Sequence, residues 1–288
     1  MGSAELRDTR RRIKSVQAIQ KITRAMELIA ASRIPKAQGR VLASKPYTAK
    51  LVTVIRNVSK GGEAKHPLLE QRPVGTAGVL VVSSDRGLAG AYASTIIRMA
   101  EQRLIALERS GVGTQVFAIG KKAQAYFRYR GYRIERSFLG MTDTPGYGDA
   151  RAIAATVLEA FASGSVDAVE AFYTRYQSAM TQVATHFRLL PIEPPEEGGG
   201  GVSYTFEPSA GEILERILPR YVETIIFNML LEASASEHSA RRRAMKAATD
   251  NADELIKVYT VQANRARQAE ITTEISEIVG GAEALTKG

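Results

Sequence analysis

Residues 209–279 read SAGEILERILPRYVETIIFNMLLEASASEHSARRRAMKAATDNADELIKVYTVQANRARQAEITTEISEIV, with Pro219 as the one proline. The first half carries a wide apolar face of Ile213, Leu214, Ile217, Leu218, Tyr221, Ile225 and Met229. An Ala-rich stretch comes next, and the pattern resumes at Leu255, Ile256, Tyr259, Ile271, Ile275 and Ile278. Steps of three and four make this one helix. At about 1.5 Å per residue, roughly 70 residues extend on the order of 100 Å. Globular helices average about 11–12 residues, so one this long needs a partner helix or a sleeve of other protein around it.

The partner helix lies at the other end of the chain. Ser3 to Asn57 is rich in Ala, Leu, Ile, Met, Gln, Lys and Arg, and Leu6, Ile13, Val16, Ile19, Ile22, Met26 and Ile29 form a narrow stripe. Pro35 and Gly39 interrupt the pattern, which predicts a kink near residues 33–36. The two terminal helices pair as an antiparallel coiled coil, because whatever lies between them acts as their connection. Ala233, Ala235, Ala240, Ala244, Ala247 and Ala248 allow close approach. The C-terminal helix is the longer, so its end protrudes alone.

The intervening residues change period. Gly78–Ser83 and Gln115–Ile119 are short apolar runs of buried-strand type. Tyr132–Phe138, Val166–Tyr176 and Gln182–Leu190 also read as strands, and helical patterns separate most of these runs. This alternation predicts a Rossmann-like α/β domain with a largely parallel sheet. The expected organisation is an N-terminal coiled-coil helix (1–60), an α/β domain (75–191), a linker (192–208) and a C-terminal coiled-coil helix (209–288). The linker is marked by Pro191, Pro194, Pro195 and Gly198 to Gly201.

Composition removes several function classes. The chain has no Cys, which excludes disulfides, thiolate metal sites and thiol catalysis. Its three His (His66, His186, His238) are scattered without ligand-like spacing. No apolar run is long enough to span a bilayer, and the N-terminus shows no secretory pattern. The net charge of +9 is uneven: residues 1–60 hold 14 basic and 3 acidic side chains, while residues 61–208 balance at 15 each. A basic N-terminal helix suits nucleic acid, an anionic membrane or an acidic protein surface, but for a charge run alone a solvated helix face is the stronger reading.

Local motifs for chemistry are weak. Asp85-Arg86-Gly87-Leu88-Ala89-Gly90 sits between a strand and a helix, where phosphate loops occur, but it lacks the Gly-x-Gly-x-x-Gly spacing and the P-loop lysine. A tight, close-packed turn is the stronger reading. His186 in an alternating strand reads as structural. Asp250, Asp253 and Glu254 read as a solvated helix face. Basic side chains without neighbouring aromatics or any Trp give no base-stacking platform.

Longer motifs are specific. Ile13 to Ser32 (IKSVQAIQKITRAMELIAAS) closely resembles the N-terminal signature of the gamma subunit of F-type ATP synthases. Ser83–Gly90, Arg243–Ala252 and Asn264–Ile275 resemble its central and C-terminal signatures, so the likeness runs end to end. The resemblance implies a bacterial, non-catalytic central shaft without cofactor, metal or catalytic residues. Its coiled coil would turn inside a hexamer of alpha and beta subunits. Its α/β foot would rest beside the epsilon subunit and on the c-subunit ring, one copy per complex, peripheral on the cytoplasmic side of the inner membrane.

Carried over by position, the resemblance implies that Arg267 and Gln268 meet a beta-subunit loop, and that Lys21, Arg24 and Met26 face an acidic beta-subunit loop. Thr273 and Glu274 would lie in a coupling segment, and Tyr204 and Glu207 in the foot loop near epsilon and the c ring. Pro35 departs from the family pattern. Two other readings compete: a dinucleotide-binding α/β enzyme and a basic coiled-coil nucleic-acid binder. Neither explains the length of the C-terminal helix.

Overall fold

The computed structural model describes residues 2–60, 66–193 and 209–286. Helix α1 spans Gly2–Lys60 and helix α5 spans Ala210–Thr286. Between them lie β1 (Thr76–Val82), α2 (Tyr92–Arg109), β2 (Gly113–Ile119), α3 (Lys121–Tyr129), β3 (Ile134–Phe138), α4 (Tyr147–Ala162), β4 (Ala168–Tyr176) and β5 (Gln182–Leu190). The long terminal helices pack together and the α/β sheet domain is inserted between them in sequence, as expected. The chain divides into two compact units, Met1–Ile29 with Arg242–Gly288, and Ala30–Arg241. Tyr204, Glu207 and the Gly198–Gly201 run lie outside the described residues.

In the second unit the sheet order is β3-β2-β1-β4-β5. The first four strands are mutually parallel, and β5 runs antiparallel to β4. Strand β1 is buried on both faces, which is why it reads as an unbroken apolar run. Successive side chains alternate between two cores. Val79 and Val81 pack with Ile96, Ile97 and Leu104 of α2 and Phe127 of α3. Leu80 and Val82 pack with Ile153, Val157 and Phe161 of α4 and with Leu214, Leu218, Val222 and Ile226 of α5. The wide apolar face in the first half of α5 is therefore a sheet-packing face.

Helix α1 is helical without a break, with Pro35 and Pro46 inside it. A proline removes one N–H from the ladder, but the flanking turns retain theirs. On either side of Pro35, Ile34 and Ala37 are buried, and this packing holds the helical path.

At the end of β2, Gly120 has φ +89°, and a Cβ there would lie 2.8 Å from the Ser84 carbonyl carbon. Only glycine fits that position without strain.

Candidate functional site on the helix pair

In the first unit, α1 and α5 meet along steps of three and four. On α1 the buried and half-buried positions are Leu6, Asp8, Thr9, Ile13, Val16, Gln20, Thr23, Met26 and Glu27. On α5 they are Ala244, Met245, Ala248, Thr249, Ala252, Ile256, Tyr259, Ala263, Ala266 and Glu270. The small residues of α5 bring the helices close enough for polar side chains to bond across the seam. The Thr23 and Thr249 hydroxyls lie 2.8 Å apart, and the Gln20 amide donates to Asp253. Partner numbers fall on α5 as they rise on α1, which is the antiparallel register.

That seam corrects part of the sequence reading. Leu6, Ile13, Val16 and Met26 do face α5, but Ile19, Ile22 and Ile29 are 52%, 60% and 53% exposed. Leu28 is exposed as well. The apolar stripe is thus split between an inward face and an outward one that stands open to solvent. The outward face is also basic: Lys21 and Arg24 are exposed, with Arg24 bonded to Glu27 at 3.1 Å. Lys21, Arg24, Ala25 and Leu28 line a shallow groove with Thr249, Asp250 and Asp253 of α5. Nearer the chain start, Arg11 and Arg12 pair with Asp8 and hold its carboxyl below its usual range.

The second set of sequence-selected residues lies elsewhere on α5. Arg267, Gln268, Thr273 and Glu274 are all exposed. Arg267 is 14 residues beyond Asp253, about 21 Å along the helix axis, so the two sets form separate patches. From Ile271 to Ala282 every residue is exposed, because the register sets Glu270 near the start of α1 and no α1 residue remains to pair with the rest of α5. Ile271, Ile275, Ile278 and Val279 make an uncovered apolar stripe on that end.

The glycine turn of the second unit does structural work, as expected. The Asp85 carboxylate accepts from the backbone N–H groups of Lys121, Gly140 and Thr142, and from the Thr142 hydroxyl. It ties the β1–α2 turn to two other loops. An acidic side chain there also repels phosphate, which removes the main support for a dinucleotide site. The sequence reading did not foresee this latch, since its partners are 36 to 57 residues away.

His186 is structural too: its ring stacks on Phe172 and its Nε2 lies 2.8 Å from Glu170, which Arg103 clasps with two bonds. Of the acidic trio on α5, Asp250 pairs with Lys246. Among the described residues no cluster of three or more His, Asp or Glu could hold a metal, and no helix is long and apolar enough to cross a membrane.

Comparison with known proteins gives a consistent result. The family model described as ATP synthase matches residues 5–285. The ATP synthase gamma chain of Parafrankia sp. (strain EAN1pec) is 49% identical, covering 99% of each chain. That of Streptomyces coelicolor is also 49% identical over 98% of this chain and 96% of its own, and that of Desulfitobacterium hafniense is 46% identical over 98% and 99%. Among solved structures, a chain of the Euglena gracilis mitochondrial ATP synthase aligns with a TM-score of 0.69 at 18% identity, over 98% of this chain and 95% of that one. A chain of the Tetrahymena thermophila mitochondrial ATP synthase central stalk and c ring aligns with a TM-score of 0.60 at 23% identity, over 79% and 99%.

Proposed function

This chain belongs to the ATP synthase gamma-chain family, and we propose that its helix pair is the rotating shaft that couples ion flow to ATP turnover on beta subunits. It is a non-catalytic part of the ATP synthase complex. In the proposed arrangement the α/β domain (75–191) and the segment 192–208, with Tyr204 and Glu207, form a foot against epsilon and the c ring. The helices of 1–60 and 209–288 stand within an alpha–beta hexamer, and the whole associates with the cytoplasmic side of the inner membrane through the complex.

The observation that carries this reading is the chemistry of the outer face. The helix pair sets Thr, Gln and Ala beside Leu6, Ile13, Val16 and Met26 in its seam, and exposes Ile19, Ile22, Leu28 and Ile29 beside Lys21 and Arg24. A free-standing coiled coil would bury those large apolar side chains. An enclosing apolar and acidic sleeve satisfies this outer face. The pair is also chemically different on each side, so identical subunits around it meet different contacts. Each shaft angle then favours a different conformation in each subunit, and the difference in contact energy becomes a difference in nucleotide affinity. Arg267 and Gln268 on one patch, and Lys21 and Arg24 on the other, are the proposed grips on beta, with Met26, which faces α5, backing the second patch from the seam. Thr273 and Glu274 belong to the coupling segment beyond them.

The test is assembly with alpha and beta subunits of a related bacterial enzyme, followed by rotation under ATP. Ser110 is exposed at the end of α2, and the chain has no Cys, so Ser110→Cys gives one clean attachment point for a probe. Unidirectional ATP-driven rotation is the expected result. An assembled complex that hydrolyses ATP with a stationary probe would overturn the proposal.

A further inference from the structure

Between Ala233 and Arg241, α5 is enclosed on all sides, yet its residues are polar. Ser234, Ser236, Glu237, His238, Ser239 and Arg241 are all less than a tenth exposed. Helices buried all round are ordinarily apolar. Here the polar groups reach out in different directions, each to a different part of the second unit. The Ser234 hydroxyl donates to the Asp143 carbonyl at 2.9 Å, and His238 Nε2 lies 3.2 Å from the same oxygen. The Ser236 hydroxyl donates to the Thr174 carbonyl of β4 at 3.2 Å. Arg241 donates to the Gly87 carbonyl at 3.3 Å and to Glu237. The Tyr92 hydroxyl, from the start of α2, donates to the Ala233 carbonyl at 3.1 Å. From α1, Arg33 pairs with the Asp143 carboxylate and Arg40 donates to the Pro145 carbonyl.

Four pieces of the second unit therefore bond to one stretch of helix: the β1–α2 turn, the start of α2, the end of β4 and the loop before α4; α1 clamps that loop through Arg33 and Arg40 and packs Ala37 and Val41 against Leu231 and Ala235. This collar is an expensive way to hold a helix. It buries charged and hydroxyl groups, and among the described residues Glu237 Oε2, His238 Nδ1 and Ser239 Oγ find no bonding partner. An apolar segment would pack at lower cost, as α5 itself does on the sheet between Leu214 and Leu230. Apolar contacts are non-directional, however, and resist turning and sliding poorly. Hydrogen bonds aimed outward on several sides fix both the azimuth and the height of a helix.

We infer that this collar locks α5 to the α/β unit against twist, and that Arg33, Asp143 and Arg241 are positioning residues for torque transfer. The inference rests on the shaft function proposed above. It adds the place where load passes between the foot and a helix that continues beyond it.

The experiment uses the assembled, rotating complex with its probe on Ser110→Cys. Angular fluctuation of the probe is measured with the motor stalled, and ATP-driven ion pumping is measured in vesicles beside ATP hydrolysis. In the Arg33→Ala, Arg40→Ala double variant the fluctuation should widen severalfold, with pumping falling and hydrolysis retained. Arg33→Lys with Arg40→Lys should restore most of the stiffness. A role in stability alone would lower the melting temperature without moving the fluctuation of complexes that assemble. Should the Ala variant not assemble, Ser236→Ala removes a single bond of the collar and should widen the fluctuation to a smaller degree. Wild-type fluctuation and pumping in either variant would overturn the collar while leaving the shaft reading intact; a wild-type complex that never rotates removes both.

Discussion

The hydroxyls of Thr23 and Thr249 lie 2.8 Å apart in the buried seam of the helix pair, joining residues 226 positions apart in the chain. Each hydroxyl also has a carbonyl of its own helix within reach, Gln20 for Thr23 at 3.1 Å and Met245 for Thr249 at 2.9 Å, so either threonine can donate across the seam. Replacing either threonine by Val keeps the shape and removes the bond. Each single change should destabilise the full chain by about 0.5–1.5 kcal/mol in urea unfolding. The double variant should lose less than the sum, by roughly 0.5–1 kcal/mol. Strict additivity would show that the pair carries no coupling.

Arg267 and Gln268 have exposed side chains on the far part of α5. Arg267→Ala with Gln268→Ala should leave the melting temperature of the full chain unchanged. In the assembled complex, coupled ATP turnover should fall roughly three- to tenfold, the loss expected when a small contact cluster is truncated. Unchanged torque and turnover would remove these residues from the grip.

Glu170 gives the second unit an acid-sensitive point. Burial pushes its carboxyl up, but the Arg103 fork and the His186 contact outweigh that and leave it below the usual glutamate value of 4.5. A depressed acid stabilises the fold fully above its unfolded pKa, and the contribution disappears as pH falls from about 4.5 through the folded value. Wild type should therefore lose more stability between pH 7 and pH 4 than Glu170→Gln does. Parallel denaturation curves for the two at both pH values would contradict this.

Gly120→Ala should be among the most damaging single-methyl changes in the second unit. The new Cβ would stand 2.8 Å from the Ser84 carbonyl carbon and 2.9 Å from its oxygen, at a φ of +89°. A loss of about 2–3 kcal/mol is expected in chemical unfolding. A loss below about 0.5 kcal/mol would mean that the turn yields easily.

Pro35 is exposed and sits inside an unbroken helix. Pro35→Ala restores an N–H to the ladder and should raise stability by about 1–3 kcal/mol, read as a higher melting temperature. A lower one would show that the ring's fixed φ supports the local helix path.

Much of this architecture was legible because its signals are local. Strand β5 runs from Gln182 to Leu190 as its alternation predicts, and the apolar run of β1 announces a strand covered on both faces. The helix seam was less legible. Hydropathy alone favours Ile19, Ile22 and Ile29, while Thr9, Gln20 and Thr23 hold the interface. Close packing on Ala252 and Ala263 lets short polar side chains bond across, and the large apolar ones face outward. Pro35 leaves the helix continuous for a different reason: one missing hydrogen bond is a small term in a helix whose neighbouring turns are packed. The Asp85 latch and the Asp143 node were out of reach, since a loop aspartate shows nothing of partners brought to it from distant residues.

The end of α5 bears on how the protein must be made. Ile271, Ile275, Ile278 and Val279 form an oily edge with no α1 residue opposite it. In a newly synthesised chain that edge is open to any other copy that meets it, and exposed apolar patches of this kind favour aggregation. On the proposed shaft reading, production has to keep pace with the subunits that would cover the edge. Overexpressed by itself, the chain should gather in insoluble deposits; co-expression with its covering subunits should keep it in solution.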